Sequence, residues 1–196
     1  MPHADSSYVP SSITTRAQFW EHVYHQLEAL ISDQRNWVSN LSNAASLIYH
    51  SLLAFSPHFG VNERAVNWCG FYLDSKLFPG KQDRDSSPML LLAPFAGKPA
   101  CQFIHAKAGK GVCADAYVGR RPLSVPNVEE YPGHIACDGD TKSELVIPLI
   151  TETSSGDEIA LGVIDLDCVA LEGFTHDDIE GLQKIANLIV SSCDWE

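Results

Sequence analysis

Two segments near the start of the chain carry apolar residues at the spacing of an α-helix. In the first, residues 15–34, the apolar positions are Phe19, Trp20, Val23, Tyr24, Leu27, Leu30 and Ile31. In the second they are Trp37, Leu41, Ala44, Ala45, Ile48 and Leu52. Thr14 or Thr15 is suited to cap the first helix, and Pro57 lies where the second should end. The pattern therefore predicts two amphipathic helices ahead of the first strand.

The following segments change to the two-residue period of β-strands. Val66–Asp74 alternates, so that one face carries Val66, Trp68, Gly70 and Tyr72 and the other carries Asn67, Cys69, Phe71 and Leu73. Further strands are predicted at 89–95, 101–104, 123–125, 144–150 and 159–167. In the last strand one face carries Leu161, Val163, Asp165 and Asp167, and the other carries Ala160, Gly162, Ile164, Leu166 and Cys168. The alternation assigns each of these side chains to one face of a sheet.

Two more helices complete the pattern. A short one follows Gly109 and Gly111 and ends before Pro122, and a longer amphipathic one begins at Thr175, with Asp178 as the second member of a capping pair. This order predicts an α+β fold, with an antiparallel sheet of about six strands and the N- and C-terminal helices packed on one face. We expect residues 1–14 to form a flexible arm and residues 15–196 to form a single domain.

The composition argues against some classes of function and partner. The 196 residues carry a net charge of -12, which argues against nucleic acid or an anionic membrane as a partner, because phosphate binding needs clustered Lys and Arg. No stretch is apolar for long enough to span a bilayer. The N-terminal residues lack the features of a secretion or transit signal, so we expect the protein in the cytoplasm.

The six cysteines are the main candidates for chemistry. In the cytoplasm they should be thiols, and no C-x-x-C or zinc-type spacing is present, so we expect no bound metal. Cys69, Cys168 and Cys193 fit buried structural positions. The other three, Cys101, Cys113 and Cys137, lie near glycine- or proline-marked turns within residues 97–147. Cys113 falls in the first turn of the short helix, where the helix dipole favours a thiolate.

Acidic and aromatic residues offer a second group of candidates. Asp165 and Asp167 share a strand face, where two carboxylates repel each other and resist burial. Either this strand end faces solvent or the pair lines a polar pocket. Glu144 begins the neighbouring strand and is a candidate acid. Trp68 and Tyr72 share the face of another strand, and they fit either core packing or an aromatic wall for a ligand.

Six short motifs occur in an informative order. They are N-W-x-G-F-Y at 67–72, G-K-P-A-C at 97–101, G-K-G-V-C at 109–113, P-G-H-I-A-C-D at 132–138, S-E-L-V-I-P-L at 143–149 and G-V-I-D-L-D at 162–167. Together they make the chain resemble the free methionine-(R)-sulfoxide reductases, which are single GAF domains. The resemblance implies a GAF fold and an enzyme that reduces free, not peptide-bound, methionine-(R)-sulfoxide.

The resemblance also assigns roles to residues. It implies that Cys137 is the nucleophile and that Cys101 and Cys113 supply the resolving thiols. It places Trp68 and Tyr72 around the substrate, and it makes Glu144, Asp165 and Asp167 the acids of the pocket, for catalysis and for substrate binding.

The resemblance further implies a homodimer that binds no cofactor and is recycled by thioredoxin and NADPH. The rival interpretation is a GAF module that binds a small molecule or senses redox state without turnover.

Two features depart from the family pattern. The segment between Cys101 and Cys113 is two residues longer, and Ala-Asp-Ala follows Cys113 where Gly-Thr-Ala is usual.

Overall fold

The computed structural model describes residues 8–80, 88–134, 138–153 and 155–195. Its helices are α1 (Arg16–Ile31), α2 (Trp37–Ala54), α3 (Val112–Gly119) and α4 (His176–Ser192). Its strands are β1 (Val66–Asp74), β2 (Met89–Gly97), β3 (Phe103–His105), β4 (Leu123–Val125), β5 (Ser143–Glu152) and β6 (Glu158–Cys168). Short 3-10 turns occupy Ser75–Leu77 and Val128–Glu130.

The six strands form one antiparallel sheet in the order β3-β2-β1-β6-β5-β4. Helices α1, α2 and α4 cover one face of the sheet, and α3 packs on the other face against β5 and β6. The predicted α+β architecture is confirmed. The third strand begins later than expected, so Cys101 precedes β3 instead of lying in it. No helix in the described ranges is long and apolar enough to cross a membrane.

The two faces of the sheet bury two separate apolar clusters. The helix-side cluster includes Cys69, Phe71 and Leu73 of β1, while the α3-side cluster includes Trp68 and Tyr72 of the same strand. Strand alternation predicted this division. The predicted faces of Val66 and Leu161 were wrong, since both residues lie in the helix-side cluster.

Two irregularities of the sheet explain those errors. The pairing of β1 with β6 shifts between Val66 and Trp68, and the pairing of β5 with β6 shifts between Leu149 and Ile150, opposite Leu161. Each shift inserts an extra residue, which reverses the alternation on one side of it. Nothing in the local hydrophobic pattern marks either position.

Both predicted helix caps are present. Thr15 caps α1 in a capping box with Gln18, which settles the choice between Thr14 and Thr15. At α4 the Thr175 N–H donates to Asp178 Oδ2 at 2.6 Å. Val9 and Ile13, within the segment predicted as an arm, pack against the helix-side cluster.

Asp178 also joins α4 to α1. Its fully buried carboxylate accepts a hydrogen bond from Trp20 Nε1 at 2.8 Å and forms an ion pair with Arg16. The Arg16 guanidinium lies over the Phe59 ring, 4.4 Å from its centroid. A buried charge with this many partners is satisfied only while all of them stay in place.

We expect Asp178→Ala to destabilise the protein strongly, because it leaves the Arg16 cation and several N–H donors without their acceptor. The expected loss is about 3–5 kcal/mol in the free energy of unfolding, or about 6–20 °C in Tm for a chain of this size. Calorimetry or urea unfolding measures it. The control is Asp177→Ala, an exposed acid in the same helical turn, which should change stability by less than about 1 kcal/mol. Equal effects in the two variants would contradict the role of Asp178.

Candidate active site

A pocket opens on the face of the sheet that carries α3. Its floor is formed by β1, β5 and β6, and the start of α3 forms one wall. Its lining includes six of the residues singled out from the sequence: Trp68, Tyr72, Cys113, Glu144, Asp165 and Asp167. Residues separated by almost a hundred positions in the chain therefore meet in one place.

The carboxyl groups converge because of strand register. In the antiparallel pairing, Glu144 of β5 lies opposite Asp167 of β6, and Asp165 lies opposite Gly70 of β1. Glu144 and Asp165 are 5% and 6% exposed, and Asp167 is partly exposed. Of the two settings considered for the Asp pair, the structure has the polar pocket and not the solvent-facing strand end.

Burial changes the acidity of the aspartates. The pKa of Asp165 is raised well above its usual range, first by burial and then by the charges of Glu144 and Asp167. The pKa of Asp167 is raised in the same way, by burial and by the charges of Glu144 and Asp138. A carboxyl group in this state keeps its proton at a pH where an exposed one has lost it, so it can donate that proton to a bound ligand.

Cys113 is a buried thiol in contact with these acids. Its Sγ lies 3.4 Å from Asp165 Oδ2 and 3.9 Å from Glu144 Oε1. Burial raises the pKa of Cys113, and the charges of Asp165 and Glu144 raise it further. The expectation of a thiolate at this helix start was wrong, because burial and two neighbouring carboxyls outweigh the helix dipole. The raised pKa favours the protonated thiol, which donates to Asp165 Oδ2.

The aromatic wall belongs to both the core and the pocket. Trp68 stacks between Tyr72 and Phe95, with ring centroids 5.9 Å and 5.5 Å away, and its Nε1 donates to the Lys98 carbonyl at 3.1 Å. Gly70 makes this arrangement possible, because a Cβ there would lie 2.4 Å from the Trp68 ring. Trp68 and Tyr72 are therefore core residues that also line the pocket, and their contact with a ligand stays a prediction.

The remaining cysteines fall into distinct settings. Cys69, Cys168 and Cys193 are buried free thiols of the helix-side cluster, as expected for structural positions. Cys101 is half-buried ahead of β3, and its carbonyl accepts a hydrogen bond from Tyr72 Oη at 2.9 Å. Cys137, the predicted nucleophile, lies outside the described residues.

The described residues on either side of Cys137 are anchored at the pocket. His134 and Asp138 both line it. The Lys98 ammonium donates to Asp138 at 3.1 Å, and the Asn67 amide donates to the same carboxylate at 3.1 Å. Hydrogen bonds from Lys98 and from the Asp140 N–H lower the pKa of Asp138, which is therefore a carboxylate.

A second anchor precedes the segment. Asp115 accepts hydrogen bonds from Tyr131 Oη at 2.8 Å and from the Gly109 N–H at 2.6 Å. A Cβ at Gly133 would lie 2.6 Å from the Gly109 carbonyl, so the two turns are in close contact. Asp115 is one of the residues that depart from the family pattern. Its hydrogen bond with Tyr131 connects α3 to the loop that precedes Cys137.

Sequence analysis did not single out four of the polar residues that line the pocket: Lys98, Lys110, His134 and Asp138. Each lies within or between the quoted motifs, but an isolated polar residue in a turn carries no pattern that marks it as functional. Their positions relative to the carboxyl groups come only from the fold.

Comparison with known proteins agrees with this geometry. The family model of the GAF domain matches residues 51–192. The free methionine-R-sulfoxide reductase of Saccharomyces cerevisiae is 43% identical over 191 residues, which cover 97% of this chain and 94% of the yeast protein. A solved structure of a GAF domain has 42% identity and a TM-score of 0.78, and covers 97% of this chain and 96% of its own.

A second solved structure is the X-ray structure of free methionine-R-sulfoxide reductase from Neisseria meningitidis in complex with its substrate. It is 31% identical, has a TM-score of 0.73, and covers 95% of each chain. The fold and the pocket thus define a GAF domain whose ligand pocket contains a thiol and three carboxyl groups. This chain belongs to the GAF-domain family of free methionine-R-sulfoxide reductases.

Proposed function

We propose that this protein reduces free methionine-(R)-sulfoxide to methionine by thiol chemistry at Cys137. The observation that carries the proposal is the convergence of Glu144, Asp165 and Asp167 on one aromatic-walled pocket, beside Cys113 and between the anchored ends of the Cys137 segment. The enzyme is an oxidoreductase of the methionine sulfoxide reductase class.

The substrate is held by complementary groups. Its methyl group contacts Trp68 and Tyr72, and its ammonium group binds to the carboxyl groups. Its carboxylate binds at the start of α3, where helical N–H groups favour an anion. Within the Gly109–Cys113 turn, the Gly109 N–H donates to Asp115 and the Lys110 N–H donates to the Lys107 carbonyl. The carboxylate is therefore assigned to the N–H groups of residues 111–113, with the side chains of Lys98 and Lys110 nearby.

The reduction needs a thiolate and an acid. The Cys137 thiolate attacks the sulfoxide sulfur while one of the three pocket carboxyls donates a proton to the oxygen. The oxygen passes to the cysteine, so the products are methionine and Cys137 sulfenic acid. The substrate sulfur gains two electrons, and Cys137 loses them. The raised pKa of Asp165 and of Asp167 suits either residue to carry the proton.

Two further steps return the enzyme to its starting state. Cys113 or Cys101 attacks the sulfenic acid, which releases water and forms a disulfide with Cys137. A dithiol protein of the thioredoxin type then reduces this disulfide by exchange, with NADPH as the ultimate electron source. We further propose that the active protein is a homodimer, in accordance with the expectation from the sequence.

Specificity for the free amino acid follows from the charges in the pocket. A methionine sulfoxide within a peptide has neither an ammonium nor a carboxylate group next to its side chain. Its binding would leave buried carboxyl groups without a partner, which strongly disfavours the wrong ligand. The pocket therefore selects against peptide-bound sulfoxide.

The proposal is tested by a thiol count on the reduced protein after addition of sulfoxide without reductant. We expect free methionine-(R)-sulfoxide to remove two thiols per chain and to release one methionine for each pair of thiols lost. The (S) isomer and an N-acetylated methionine amide sulfoxide serve as controls and should remove none. Binding of the free sulfoxide without thiol loss would overturn the proposal in favour of a sensor module.

A further inference from the structure

One compact cluster in the pocket consists of Cys113, Glu144 and Asp165, and it is called the thiol–carboxyl cluster below. The Cys113 sulfur and one carboxylate oxygen from each acid lie within 4.8 Å of one another. All three residues are at most 6% exposed. A soft sulfur and two hard oxygens thus face one another in a space largely closed to water.

The cluster is incompletely satisfied. In the part of the chain that the structure describes, Asp165 Oδ1 is buried and has no hydrogen-bond partner. His134 Nε2 lies 3.4 Å from the second oxygen of the Glu144 carboxyl group, Oε2. Two carboxyl groups with an oxygen left over favour a cation at this point, since an unpartnered buried oxygen is unfavourable.

The spacing of the donor atoms fits a tetrahedral zinc ion. Zinc binds sulfur at about 2.3 Å and oxygen or nitrogen at about 2.0–2.2 Å, so neighbouring ligand atoms on the tetrahedron are about 3.3–3.6 Å apart. The observed separations are 3.4 Å from Cys113 Sγ to Asp165 Oδ2 and 3.9 Å from Cys113 Sγ to Glu144 Oε1, and one donor atom from each of the three residues lies within 4.8 Å of the other two. Binding of the ion draws the three donor atoms closer together.

We propose that the thiol–carboxyl cluster binds Zn²⁺ through Cys113 Sγ, Asp165 and Glu144, with a water molecule as the fourth ligand, and that the bound ion blocks the pocket. The donor set of one thiolate and two carboxylates suits zinc and other borderline divalent ions. It does not suit Mg²⁺ or Ca²⁺, which prefer oxygen alone. The ion occupies the place of a ligand's positive group, so it competes with an amino acid for the same carboxyl groups.

The test uses Co²⁺ as a spectroscopic substitute for Zn²⁺ on the full-length, tag-free, reduced protein. A thiolate ligand gives Co²⁺ an intense near-ultraviolet charge-transfer band, which needs no turnover to be observed. We expect the band in the wild-type protein, its removal by equimolar Zn²⁺, and its persistence in excess Mg²⁺. The band should be lost in Cys113→Ser and retained in Cys101→Ser and Cys137→Ser.

Two further measurements complete the test. Loss of a residue that only supports a metal ligand weakens metal binding by about 10–100-fold. Titration calorimetry should show that Asp165→Asn weakens Zn²⁺ binding by more than this. The exposed Asp177→Asn should leave it unchanged, and melting curves establish that each variant is folded. Retention of the cobalt band in Cys113→Ser, or its loss in Cys137→Ser alone, would overturn the proposal. Absence of any band in the wild-type protein would overturn it as well, and would leave the reductase proposal untouched.

Discussion

Cys137→Ser is expected to abolish the reduction of free methionine-(R)-sulfoxide. A serine hydroxyl is far less nucleophilic than a thiolate at neutral pH, and it cannot form the disulfide that returns the enzyme to its reduced state. The expected fall in turnover is at least about 10⁴-fold, since removal of a covalent nucleophile reaches about 10⁶-fold in a well-studied hydrolase. The measurement is NADPH oxidation coupled through thioredoxin and its reductase.

The matched controls are the same change at the two candidate resolving cysteines. In a single turnover without reductant, Cys101→Ser and Cys113→Ser should each still release one equivalent of methionine, whereas Cys137→Ser should release none. The variant that lacks the resolving thiol should then hold Cys137 as a trappable sulfenic acid, so the two variants should accumulate it to different extents. Substantial turnover by Cys137→Ser would contradict the assignment of the nucleophile. Unimpaired recycling by both resolving variants would mean that neither thiol resolves Cys137 alone.

Asp165→Asn is expected to lower activity and raise stability at the same time. The amide can neither donate a carboxyl proton nor attract an ammonium group, so kcat/KM should fall by about 10²–10⁴-fold, the range associated with loss of a general acid. A loss confined to kcat identifies the proton donor, and a loss confined to KM identifies a residue that binds the ammonium. Steady-state kinetics with chelator present separates the two.

The gain in stability follows from the raised pKa of Asp165. The native state holds this proton at a pH where the unfolded chain has released it. The stabilising contribution of the protonated carboxyl is therefore complete below the ordinary carboxyl range and is lost as the pH rises through the raised value. At neutral pH the uncharged Asn avoids this loss. We expect a gain of about 1 kcal/mol, or about 2–4 °C in Tm.

The sign of the pH dependence provides the control. The difference in Tm between Asp165→Asn and the wild-type protein should shrink as the pH falls toward about 4, because an exposed carboxyl group is protonated there as well. The exposed Glu158→Gln, on the same strand, should show no gain at neutral pH. A difference in Tm between Asp165→Asn and the wild-type protein that grows at low pH would contradict a raised pKa for Asp165.

The opposite signs of these two effects have one cause. A buried carboxyl group next to other acids is unfavourable for folding, and the same environment lets it hold a proton or a cationic ligand. Natural active sites often combine low local stability with activity in this way. Asp178 is the contrast within this protein, because its buried carboxylate is matched by Arg16 and by Trp20 and so supports the fold.

The period of the apolar residues was sufficient to predict most elements and the face of the sheet that most of their side chains occupy. It separated Trp68 and Tyr72 from Cys69 and Phe71, and it placed Asp165 and Asp167 on one face. It failed at Val66 and Leu161, where an extra residue enters one strand. A shift in pairing depends on the partner strand, and the partner is not visible in a local pattern.

What the sequence by itself determined is therefore the set of elements, the reactive residue types and, through six motifs, the family. Only the tertiary structure decided how those residues act on each other. Cys113 is 31 positions from Glu144 and 52 from Asp165, yet its thiol lies against both. A helix dipole can be inferred from nearby residues, and it predicted a thiolate. Burial and Coulomb interactions depend on distance in space, and in this fold they raise the pKa of Cys113.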